Sequence, residues 1–69
     1  MLDWESSYEI VRALMEFYPD VDVERIGIDE LQQMIVTLPD FADDPALAND
    51  GILNGILREW YEELNAEWN

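Results

Sequence analysis

Apolar residues recur at helical spacing in three stretches of the chain, and each stretch is fenced by a proline or a turn-forming acid. In the first, Ile10, Leu14 and Phe17 share one face, which Val11, Met15 and Tyr18 widen. Ser6 is placed to cap this helix, with Glu9 three residues on to complete a capping box. Pro19 requires the helix to end at Tyr18 or just before it. In the second, Leu31, Met34, Ile35 and Leu38 face inward. Asp29 reads as its N-cap with Gln32 as reciprocal partner, and Pro39 ends it. The β-branched run Ile35, Val36, Thr37 lowers helix propensity and leaves a strand as the competing assignment.

The third stretch is the longest. Asp44 followed by Pro45 is a helix-start signature, an acidic cap with proline in the first helical position, and it starts one turn over "PALA". Asn49 or Asp50 then opens a helix in which Ile52, Leu53, Ile56, Leu57, Trp60, Tyr61 and Leu64 keep helical register. Gly51 and Gly55 lie inside it, each costing roughly 1 kcal/mol against alanine. The simplest reason for Gly55 is close approach of a neighbouring helix. Arg58 and Glu62 are spaced to pair one turn apart. Between the first two helices, "PDVDVERIG" is a connector in which Val21 and Val23 could form a brief extended stretch. The expected fold is mainly α: one domain over residues 1–69 with three to four helices. It is modified winged-helix-like, with at most a rudimentary short strand pair in the first connector.

Charge changes the picture most. Seventeen acids face three basic residues, for a net charge of −14, and there is neither cysteine nor histidine. Thiolate and imidazole chemistry are therefore excluded, as are direct cysteine or histidine ligation of zinc or an iron–sulphur cluster. Nucleic acid and anionic membrane repel such a surface, whereas a basic protein or a cation is attracted to it. A DNA-reading helix would need basic residues, and "DELQQMIVTL" has none. Paired carboxylates can hydrolyse glycosides, but they need a fixed cleft for which 69 residues leave little room, so no enzyme activity is expected. No apolar run approaches a membrane span, and the opening "MLDWESS" has no leader character. A cytoplasmic monomer is the expectation. Added salt is expected to raise the thermal midpoint by screening like charges; a midpoint flat from low to moderate salt would remove self-repulsion from the account.

The acids fall in clusters. "DVDVE" fails as a calcium loop, with Arg25 where glycine belongs and Leu31 where the bidentate glutamate belongs, and "DFADDPALANDG" fails likewise. Asp40, Asp43 and Asp44, with Asp20 and Asp22, are candidates for weak binding of a hard cation. Helix-start chemistry accounts equally well for Asp44 and Asp50. Glu59, Glu62, Glu63 and Glu67 crowd the end of the last helix, where the helix dipole opposes them, and Glu59 and Glu63 repel at one-turn spacing. With Asp50 and Trp68 they are the candidate partner-binding set, plain solubility being the other reading. Trp4 is expected to cap the core.

These elements resemble the IscX family of iron–sulphur cluster assembly accessory proteins, from Trp4 to about Glu63. Trp4 matches the family's early tryptophan. Tyr18, Pro19, Asp20 and Asp22 match its aromatic–Pro–Asp–x–Asp stretch, and Phe41, Asp43, Asp44 and Pro45 its Phe–x–Asp–Asp–Pro element. Asn49 and Asp50, the Ile52–Leu53 and Ile56–Leu57 pairs, Trp60, Glu62 and Glu63 match the remainder. The family often carries His-Gln-Trp where this chain has Gln32, Gln33 and Met34, and proline where it has Val23. The resemblance implies an acidic, modified winged-helix domain. It implies a domain that binds the cysteine desulfurase IscS in competition with bacterial frataxin, holds Fe2+ or Fe3+ weakly through surface acids, and has no tightly bound cofactor. The alternative is an acidic module for another basic partner, a nucleic-acid mimic with no iron role.

Overall fold

The computed structural model describes residues 2–67. The order is α1 (Ser7–Phe17), α2 (Ile28–Val36), a single 3-10 turn (Pro45–Leu47) and α3 (Asp50–Glu67). The apolar stripes dictate how they pack. Ile10, Val11 and Leu14 of α1, Leu31, Met34 and Ile35 of α2, and Leu53, Ile56 and Trp60 of α3 meet in one core, closed by Leu2, Trp4, Val23 and Leu38. α3 packs against both other helices and is the central element. Among the described residues no polar or charged residue is buried. The β-branched run stays helical through Val36, and Thr37 caps the end by donating its Oγ1 hydrogen to the Gln33 or Met34 carbonyl, each 3.0 Å away.

Several local expectations are corrected. Ser6 precedes α1, but its hydroxyl donates to Asp3 Oδ1 at 3.0 Å instead of capping. Asp3 has first claim because it also accepts the Glu5 N–H, forming a turn ahead of the helix. α2 starts two residues earlier than expected, from Gly27, so Asp29 is a first-turn acid rather than the cap. The last helix is capped by Asn49, whose Oδ1 accepts the Ile52 N–H at 2.9 Å. Phe17 is half exposed; seven residues on from Ile10 the stripe has drifted by about 20°, and Tyr18 packs against the core in its place. The connector holds no strand. Val23 turns into the core, while the one isolated bridge among the described residues is parallel, between Leu2 and Phe41. No wing forms there.

Gly55 is not a packing point. A Cβ built on it meets nothing within 4 Å, and the residue is exposed. Gly55→Ala therefore gains helix propensity without a clash, about 1 kcal/mol. In a domain this small that raises the thermal midpoint by roughly 4–8 °C, measurable by circular dichroism; an unchanged or lower midpoint would mean that this face is covered.

Candidate functional site

The "FADDP" loop owes its shape to the N-terminal segment. Leu2 donates its N–H to the Asp40 carbonyl at 2.8 Å and accepts the Ala42 N–H at 2.9 Å. Trp4 then lies edge-on to Phe41, ring centroids 4.8 Å apart, a favoured geometry for aromatic pairs. The indole Nε1–H of Trp4 donates to the Asp44 carbonyl at 2.8 Å. Trp4 is thus the core cap its position suggested, 6% exposed, with its one polar group satisfied.

This arrangement defines what the acids can do. Asp43 Oδ2 accepts the Trp4 N–H at 3.2 Å and its Oδ1 accepts the Asp44 N–H at 2.8 Å. Asp44 Oδ1 caps the 3-10 turn by accepting the Ala46 N–H at 2.9 Å. Both side chains are committed to backbone donors. Asp22 accepts the Glu24 N–H and pairs with Arg25 at 3.3 Å. Asp20 and Asp40 are exposed. No three acids among the described residues converge into a group that could hold a metal ion, so a carboxylate cage of the kind a hard cation requires is not built from them. Asp43→Ala strips two backbone N–H groups of their acceptor and is expected to cost about 1–2 kcal/mol in chemical denaturation. A variant as stable as the parent would free Asp43 for a ligand role.

Glu59, Glu62 and Glu63 fall on adjoining parts of one side of α3. Glu62 points outward and reaches Arg58 at 3.6 Å. Glu59 and Glu63 are half-buried on one flank. Glu59 lines a shallow depression of about 390 Å³ with Glu62, Trp4, Ser7 and Gly55. Its Oε2 is shielded from solvent and has no hydrogen-bond partner, an arrangement that costs rather than contributes stability. Asp50 sits in the first turn, where a negative charge is favoured. Trp68 and the side chain of Glu67 lie outside the described residues.

Gln32 and Met34 have defined tasks. Gln32 Nε2 donates to the Pro45 carbonyl at 3.1 Å, tying α2 to the 3-10 turn. Met34 is buried in the core. The signal that sequence reasoning missed is the long-range latch from Trp4 to Asp43 and Asp44, across 39 and 40 residues.

Comparison with known proteins follows the same span. A family model described as iron–sulphur cluster assembly matches residues 2–65. An uncharacterized protein of Pseudomonas aeruginosa, PA3808, is 36% identical over 62 residues, covering 90% of this chain and 94% of that protein. No solved structure matches the chain significantly.

Proposed function

Because this chain belongs to the IscX family of iron–sulphur cluster assembly proteins, we propose that it works as an acidic adaptor that docks on a cysteine desulfurase and regulates it. The observation that carries this reading is the surface charge. Seventeen acids face three basic residues; among the described residues no charged residue is buried and only Asp22 and Glu62 form ion pairs with an arginine. So much uncompensated negative charge lowers stability and is best matched by an Arg/Lys-rich surface on a partner.

The protein acts by binding, as a cytoplasmic monomer, and performs no reaction itself. Frataxin, where present, competes for the same basic surface. Iron enters as weakly held cargo on exposed carboxylates such as Asp20 and Asp40, with no preformed cage and no tightly bound cofactor. Among the described residues no helix is long and apolar enough to cross a membrane.

Titration calorimetry against a purified cysteine desulfurase tests the proposal, at low and moderate salt, with and without Fe2+. The expected result is binding in the micromolar range or tighter that weakens as salt rises. No heat at low salt, from protein shown by circular dichroism to be folded, would redirect the search to another basic partner. Binding unaffected by Fe2+ would leave the docking and remove the metal from it.

A further inference from the structure

On the flank of α3 away from Glu59 and Glu63, Leu57, Tyr61 and Leu64 repeat at one-turn spacing. Facing them is the connector, where Val21 and Val23 sit at alternate positions. Two adjoining hollows of about 470 and 270 Å³ lie between these elements and share Val23, Glu24 and Tyr61. Together they form a furrow lined by apolar Val21, Val23, Leu57 and Leu64 together with polar Asn54, Arg58 and Asn65. Tyr61, which lines both hollows, is 45% exposed there.

The connector rim is acidic. Asp20, Asp22 and Glu24 follow one another along the connector. Asp22 holds Arg25. Glu24 lines both hollows, and its carboxylate has no cationic partner among the described residues. Arg58, across the furrow, is directed to Glu62. A second copy of this chain, at net charge −14, and an anionic lipid surface are both repelled.

We propose that the furrow between the connector and α3 is a docking surface for a partner segment that carries a large aliphatic or aromatic side chain beside a lysine or arginine. The apolar side chain fills the space against Tyr61, Leu57 and Val23, where desolvation supplies the affinity. The cation meets Glu24 on the connector rim, which sets the direction of the segment. This furrow lies on the opposite flank of α3 from Glu59 and meets that depression at Arg58, which lines both; the peptide test reads it without a desulfurase present.

The test uses three short model peptides at moderate salt: leucine with lysine, alanine with lysine, and leucine with glutamate. Two-dimensional NMR on the full chain follows the backbone signals. The leucine–lysine peptide is expected to shift Val21, Val23, Leu57 and Tyr61 first and to bind at least about tenfold more tightly than either of the others. Tyr61→Ser, at a half-exposed position, should weaken it about tenfold while the spectrum stays folded. Glu24→Gln should weaken it severalfold and flatten its salt dependence. Equal binding of the alanine–lysine peptide would reduce the effect to bulk charge and overturn the proposal. Equal binding of the leucine–glutamate peptide, or indifference to Tyr61→Ser, would overturn it as well. Concentration-dependent shifts of the same residues without peptide would make a second copy the occupant, against the proposal.

Discussion

Trp60→Ala should unfold this protein at physiological temperature. Trp60 is 1% exposed and is the largest of the fully buried side chains, on the helix against which the other two pack. Truncating a buried tryptophan costs about 3–5 kcal/mol, the lost transfer energy plus the cavity left behind. A domain of 69 residues has a total stability on the order of 3–10 kcal/mol, so the loss takes a third of it or more. The expected thermal midpoint falls by about 15 °C or more, with loss of far-UV ellipticity at 37 °C. Tyr61→Ala, one residue on but half exposed, is the contrast and should change stability by less than about 1 kcal/mol. Equal effects from the two variants would mean that the core is not centred on this face of α3.

Reversing Glu59, Glu62 and Glu63 to lysine should weaken binding to a cysteine desulfurase by more than about a hundredfold at low salt. Charged contacts that pair across an interface are worth 2–5 kcal/mol or more when one member is lost, and each reversal replaces attraction by repulsion. Helicity should persist. Lysine is about as good a helix former as glutamate, so the substitutions leave α3 (Asp50–Glu67) intact. Calorimetry of the triple variant, with circular dichroism as control, measures both. Unchanged affinity would shift the docking face to the acids of α1 and the connector.

The apolar periodicity was sufficient to place all three helices, because each stripe is long and its burial is enforced by two neighbours. It also identified Leu31, Met34, Ile35, Leu38, Leu53, Ile56 and Trp60 as inward residues, and all are buried, whereas Tyr61 in the same register is half exposed. What the sequence concealed was competition and distance. A Ser-x-x-Glu pattern predicts a capping box at Ser6, but the hydroxyl finds a nearer acceptor in Asp3. The same pattern at Asp29 yields to a start from Gly27. Gly55 could not be assigned to the open side of α3 until the neighbours of that helix were known. Asp44 was legible as a cap and does accept the Ala46 N–H, but Asp43 read as a free carboxylate because its partner, the Trp4 N–H, is remote in sequence and shares no local motif with it.

The placement of the candidate acids was the least legible part. Carboxylates at helical spacing suggest a shared face, and Glu59 and Glu62 line one depression, but their surroundings differ: Glu62 is held by Arg58, while Glu59 and Glu63 are half-buried. A helix rotates about 100° per residue, so four acids within nine positions cover an arc rather than a patch. The furrow beside Tyr61 depends on the connector folding back over α3, which no local propensity announces.

The pinning of Leu2 and Trp4 to the loop around Asp43 has a kinetic consequence. α1, α2 and α3 can each begin to form from local contacts, but this latch closes a loop of about 40 residues. Closing so long a loop is entropically costly and is repaid only once the three helices already present a surface for Trp4. The latch therefore belongs to the last stage of folding and to the first stage of opening. Weakening it should accelerate unfolding while leaving the folding rate nearly unchanged, so the lifetime of the native state is governed by the first few residues of the chain.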